Sequence, residues 1–258
     1  MLRPTLGRDE AMRKVWGIGL LMVALSAASA EPAPKPIHFR AHARVALDAQ
    51  GVPQQVDVDQ KLPAVIRDAI AQRVGQWRFE PARAGEQPRA GATTVFVDAC
   101  AVPSVDGDMR LAVDYGWNGP GYADGRYFHP APRYPVEAAR RNKEGAFRVV
   151  LQIGTDGRAT VETIEAQEGQ LPLFEQALRT WVASLRYVPE EIDGAPVATR
   201  VAIPVDFSMG GPGLREYRRQ EREARQQSPE CRAAMGAEDA SPSQPVVLDS
   251  PFRPVTAG

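Results

Sequence analysis

One stretch, Arg133 to Phe207, limits the possible folds more than any other part of the chain. It opens Pro132-Arg133-Tyr134-Pro135, and Val136 to Arg141 then reads as a short helix starting just after a proline. Glu144-Gly145 ends that helix, and an apolar run from Phe147 to Ile153 follows. Thr155-Asp156-Gly157-Arg158 reads as a tight hairpin turn, because Asp-Gly supplies the positive φ such turns need. A second strand is expected from Ala159 to Ala166. Phe174, Ala177, Leu178, Trp181, Val182 and Leu185 fall on one face of a helix. After Arg186-Tyr187-Val188-Pro189 and a loop with Asp193-Gly194, a last strand runs from Thr199 to Phe207. The order is helix, strand, strand, helix, strand. It predicts an α+β fold in which a small antiparallel three-stranded sheet carries a helix on one face. Phe174, Leu178, Trp181 and Leu185 should pack on Phe147, Val149, Leu151 and Ile153. Val150 fits this alternation badly, so the register is open to a slip there.

A degenerate version of the same pattern occupies residues 38–99. His38 to Leu47 and Val52 to Val58 read as strands around an Asp48–Gly51 turn. Val65, Ile66, Ala69, Ile70, Val74 and Trp77 repeat the helical spacing after Pro63. Trp77-Arg78-Phe79-Glu80-Pro81 matches Leu185-Arg186-Tyr187-Val188-Pro189, Pro88 matches Pro196, and Val97-Asp98 matches Val205-Asp206, all offset by 108 positions. The turn glycines Gly51 and Gly157 match at 106. A repeated unit is therefore expected, with the first copy lacking the Tyr-Pro helix.

The second copy resembles the C-terminal domain of the TonB family. The resemblance rests on Tyr134-Pro135, Glu144-Gly145, Asp156-Gly157, Arg186-Tyr187-x-Pro189 and the closing apolar strand ending in Phe207. It implies that the last strand receives a short extended segment of an outer-membrane TonB-dependent receptor or another envelope protein, by backbone pairing. The residues so assigned are Thr199, Arg200, Val201, Ala202, Ile203, Val205, Asp206 and Phe207. An exposed sheet edge offers a row of N–H and C=O groups to such a strand. Pro204, inside this strand, suits an edge and removes one donor. The competing expectation closes that edge with Thr93 to Ala99 or with Met109 to Tyr115.

The remaining sequence narrows the function class. A formal net charge of −1 gives no basic face for nucleic acid. Residues 1–30 read as a secretory signal, starting at Met1 or Met12. Arg13-Lys14 precede an apolar core from Val15 to Leu25, and Ala28-Ser29-Ala30 offer a cleavage site before Glu31. The rival reading is an uncleaved anchor at 15–30, a run shorter than the ~20 residues of a membrane span. Residues 31–37 form a short Pro-rich spacer, and its six residues from Glu31 to Pro36 reach under ~20 Å at ~3.1 Å per residue. In an exported protein the even cysteine count predicts a Cys100–Cys231 disulfide. Residues 100–132 read as a Gly/aromatic linker, within which 109–115 alternates like an extra strand. Residues 208–258 read as a charged helix candidate from Leu214 to Gln227 followed by a disordered tail.

No catalytic constellation is legible. The chain has no Gly-x-Ser-x-Gly elbow, no His-Glu-x-x-His and no Walker loop. His38 and His42 have ligand spacing only for a helix, and their segment reads as extended, so no metal is expected. No cofactor and no small-molecule substrate are implied. The expected protein is a periplasmic interaction module and not an enzyme. Two alternatives stand beside it: an inner-membrane-anchored TonB-type energy transducer driven by an ExbB–ExbD type motor, and a purely structural paired module. The mature N-terminus separates the first two, Glu31 against Met1 or Met12.

Overall fold

The structure is a computed structural model that describes residues 37–103, 109–210 and 246–256. All of them lie in one compact unit, Pro34–Gly258. The leader, the Pro-rich spacer, the 214–227 helix candidate and Cys231 lie outside the described residues.

The first half opens with β1 (Ile37–Leu47) and β2 (Pro53–Val58), paired antiparallel. Along β1, Ala41, Ala43, Val45 and Leu47 are buried, the period of two of a strand with one face in a core. The turn is held by the Asp48 carboxylate, which accepts the N–H of Gln50 and of Val52. Helix α1 (Ala64–Val74) follows Pro63 and buries Ile70 and Val74. Its inward stripe is Ile66, Ile70 and Val74. Val65, expected on that stripe, is 73% exposed because it lies in the first turn on the far side of the helix. The short strands β3 (Arg78–Glu80), β4 (Ala82–Ala84) and β5 (Gln87–Arg89) lead to the long β6 (Gly91–Pro103), which pairs with β1 along its whole length.

The expected linker is more regular than its glycines suggest. β7 (Met109–Gly119) pairs antiparallel with β6, and β8 (Gly121–Tyr122) follows. The Trp117 ring stacks on Phe96 at 3.7 Å between centroids. The glycines therefore continue a strand where aromatic rings pack closely.

The second half begins with α2 (Val136–Arg140), β9 (Gly145–Ile153) and β10 (Ala159–Glu168). The Tyr134 hydroxyl donates to the Lys143 carbonyl at 2.7 Å, bracing α2 across its loop. Helix α3 (Leu171–Ser184) lies over the sheet, with Phe174, Leu178, Trp181 and Val182 buried, together with Leu185 just beyond it. Phe147, Val149, Leu151 and Ile153 are buried in the same core. Val150 is also buried at 5%, and the partner strand β10 shifts register opposite it, between Val161 and Thr163. β11 (Tyr187–Val188), β12 (Glu190–Ile192), β13 (Ala195–Val197) and β14 (Thr199–Phe207) complete this half.

The two halves share strand order and several contacts. β2-β1-β6 and β10-β9-β14 are connected in the same antiparallel sequence. The Phe79 N–H donates to the Gly51 carbonyl at 3.0 Å, and the Tyr187 N–H donates to the Gly157 carbonyl at 2.8 Å. Gly51 and Gly157 sit at φ of +75° and +73°. A Cβ there would lie 1.7 Å from the Phe79 oxygen or 2.1 Å from the Tyr187 oxygen, so both turns require glycine. Arg78 donates to the carbonyl of Trp77 and Arg186 to that of Leu185, so both arginines cap the end of a helix.

The halves do not form separate three-stranded sheets. β12 pairs with β6 through Glu191–Ala92 and Ile192–Gly91, giving a six-stranded sheet in the order β13-β12-β6-β1-β2, with β7 also on β6. Phe96, Trp117 and Tyr122 join the core of the second half. Residues 246–256, within the segment expected as a loose tail, hold two further strands. β15 (Val246–Val247) pairs with β14, and β16 (Arg253–Thr256) pairs with β3. Phe252, between them, is 0% exposed in the first-half core. Among the described residues, no helix is long and apolar enough to cross a membrane.

Candidate functional site: the outer edge of the last strand

Two observations fix how β14 faces its neighbours. The Arg200 N–H donates to the Asp249 carboxylate, and the Arg200 carbonyl accepts the Leu248 N–H at 2.9 Å. Backbone groups alternate sides along an antiparallel strand. The main-chain groups of Arg200, Ala202, Pro204 and Asp206 therefore point away from β9. Those of Thr199, Val201, Ile203, Val205 and Phe207 point toward it, in register with Ile153, Leu151, Val149, Phe147 and Gly145. Pro204 thus sits where the β9 ladder loses nothing, as a proline on an edge must. The side chains of the inward-bonded set are all buried. They supply one wall of the core under α3.

The expected edge is not open along its length. Neither β6 nor β7 covers it; both pair elsewhere. Val246 and Val247 do, opposite Ala202 and Val201. Asp249 extends the contact, its carboxylate meeting the Arg200 guanidinium at 2.8 Å, while Glu162 approaches the same guanidinium at 3.3 Å. At this exposure solvent screens such pairs, and they add little stability. Their effect is on register and position more than on stability.

Beside the edge lies a buried polar cluster that sequence reasoning missed. Glu190 is completely buried. Its carboxylate accepts from Thr93 Oγ1 at 2.6 Å, from Ser250 Oγ at 2.7 Å and from Thr199 Oγ1 at 3.2 Å. Asn118 Nδ2 lies within reach of Thr93 Oγ1, Ser250 Oγ and the Phe252 carbonyl, which orients both hydroxyls toward Glu190. The cluster therefore joins β6, β7, β12, β14 and the chain end. No sequence pattern marks it, because each residue is a single polar position inside an apolar strand or loop.

Burial holds the Glu190 carboxyl above the usual carboxylate range, against three hydroxyl donors that favour the anion. A carboxyl raised in the folded state binds more protons there than when unfolded. The stability it contributes is complete below the unfolded value and falls as pH rises through the folded one. Glu190→Gln should remove this slope. The stability of the parent relative to the variant should decline as pH rises from the ordinary carboxylate range, measured by urea unfolding at several pH values. A constant difference would show that Glu190 does not titrate in that window.

The other expected site residues are placed as follows. Cys100 is fully buried beside Ala112 and is not a free thiol, while Cys231 lies outside the described residues. His38 and His42 stand in β1, where positions four apart are separated by ~13 Å along the strand. His42 packs near the Phe96 ring. His129 packs edge-on against Trp181.

Residues 130–209 match the model of the family described as Gram-negative bacterial TonB protein C-terminal. This segment is a TonB C-terminal domain. Protein TonB of Vibrio cholerae serotype O1 is 30% identical over 80 residues, which cover 31% of this chain and 32% of that protein. The chain thus spans about a third of the length of that curated relative. The TonB C-terminal domain contains α2, β9, β10, α3 and β14, so the strand edge and its register belong to the matched segment. The chain-end strand β15 and the cluster partners Thr93, Asn118 and Ser250 lie outside it.

Proposed function

We propose that this chain is an envelope protein-interaction module, in which an extended segment of a partner adds as a strand to the outer edge of β14. One observation carries the reading: this edge already holds an added antiparallel strand, with Pro204 in the outward set. The TonB C-terminal domain supports an outer-membrane TonB-dependent receptor or another envelope protein as the partner. Export to the periplasm by residues 1–30, no enzymatic activity and no cofactor belong to the same proposal. The shared order β2-β1-β6 and β10-β9-β14, with the paired Gly51 and Gly157 turns, supports a first copy of the domain at 38–99. The anchored energy transducer driven by an ExbB–ExbD type motor remains the alternative that the family suggests. The closure of the β6 edge by β7 favours a structural role for the first copy.

Titration with an N-terminal peptide of an outer-membrane receptor, followed on the backbone amides of 199–207 by NMR, tests strand addition. Amides of the outward set should shift first. Ala202→Pro should abolish capture, whereas Val201→Pro should lower the melting temperature, because the Val201 N–H belongs to the β9 ladder. Unperturbed β14 amides at saturation would leave a structural module.

The Cys100–Cys231 disulfide is part of the proposal, supported by the buried, non-thiol state of Cys100. It would close a loop of about 130 residues, worth on the order of 4–5 kcal/mol in the chain-entropy model. Unreduced, denatured protein should show no reactive thiol; two would end the idea.

A further inference from the structure

We infer that residues 246–252 are a resident ligand of the β14 edge. The partner segment that this edge accepts has the same pattern: a β-branched residue, then a carboxylate two positions later. The inference rests on the strand-addition reading and adds to it the chemistry of the partner and the competitor it must displace.

The donor pattern makes overlap unavoidable. Arg200, Ala202 and Asp206 supply the outward N–H groups of β14, and Pro204 interrupts them. The resident strand lies on the first two. A partner strand that makes successive ladder bonds must therefore use Arg200 and Ala202, where Val246 and Asp249 already are.

The resident contacts also define a preference. Arg200 presents its backbone N–H and its guanidinium together, and both oxygens of one carboxylate engage them. Opposite Val201, Val247 lies against Gly119, where a Cβ would come within 2.7 Å of the valine Cγ2. The slot is therefore shaped by a glycine on one side and suits a branched side chain. Val247 ends the strand on the core face, and the bend that follows it brings the Asp249 carboxylate back to Arg200, two positions further on.

The resident strand is built to exchange. The equivalent edge, on β6, is covered by β7 through ten registered pairs from Thr94 to Pro103, whereas among the described residues β15 covers β14 through two. The anchor of the chain end lies beyond the edge. Phe252 fills the first-half core against Gly91, and Ser250 binds Glu190. Residues 246–249 can peel from β14 while Phe252 stays seated, a local opening at the low end of the stability scale.

The test uses the full chain and a labelled synthetic peptide with the sequence of residues 244–251. Asp249→Ala removes the carboxylate from Arg200 and leaves Phe252 in place. The peptide should bind this variant severalfold tighter than the parent chain, since apparent affinity scales with the fraction of open edge. Leu248→Pro, which deletes the donor to the Arg200 carbonyl, should act in the same direction. Adding Arg200→Ala should reduce, without abolishing, the preference for this peptide over the same peptide with alanine in place of its aspartate, because the backbone N–H at position 200 remains. Equal affinity for parent and both loosened variants, with β14 amides shifting in each, would overturn the resident-ligand inference and leave strand addition standing. No shift of β14 amides in any variant, with this peptide or a receptor peptide, would overturn strand addition itself.

Discussion

Trp181→Ala is expected to destabilise the protein by about 3–5 kcal/mol, the range for emptying a buried aromatic site. Trp181 is only 5% exposed, in the core between α3 and the β9–β14 sheet. Its indole N–H donates to the Pro130 carbonyl at 2.6 Å, and the His129 ring meets its edge at 4.9 Å between centroids. The substitution therefore removes the packing of α3 and also releases the segment that leads into α2. For a chain of this size, each kcal/mol moves the melting temperature by roughly 2–4 °C, so a fall of about 10 °C is expected. Trp181→Phe should recover much of the packing loss and none of the hydrogen bond. An unchanged melting curve for Trp181→Ala would mean that the helix face is wrong.

Phe252→Ala should have an effect of similar size, about 3–5 kcal/mol, although it lies six residues from the end of the chain. The ring is 0% exposed and packs in one core with Trp77, Phe79 and Val95. Gly91 leaves the space it needs: a Cβ there would lie 2.5 Å from the ring. The loss should also release the chain end as a whole, because β15 and β16 flank this residue on opposite sides. Limited proteolysis should then cut at 246–256 in the variant and not in the parent. A variant that melts like the parent would show that the chain end contributes no stability, and would leave β15 unsupported as an occupant of β14.

The two expectations differ in how visible they are in the sequence. Trp181 stands on a helical stripe with Phe174, Leu178 and Leu185, and the stripe alone places it inward. Phe252 stands alone between Pro251 and Arg253, in a segment whose composition reads as disordered. Its burial depends on Gly91, more than 150 positions earlier, which no local pattern connects to it.

The same division runs through the whole protein. Periodicity and turn chemistry determined the local elements: the strands around Gly51 and Gly157, the inward face of α3, the Arg186 cap and the edge character implied by Pro204. Each depends on residues close together in the chain, and each is imposed by backbone sterics or by an apolar stripe that needs cover. Tertiary structure alone decided what covers the edges. β12 joined the first sheet through Glu191 and Ile192, β7 closed β6, and β15 closed part of β14. Backbone pairing between strands is almost indifferent to side chains, so sequence carries little record of which strand lies beside which. The Glu190 cluster is hidden for a related reason: Thr93, Asn118, Glu190, Thr199 and Ser250 each look like an ordinary polar residue until the fold buries the first four and brings the half-buried Ser250 onto Glu190.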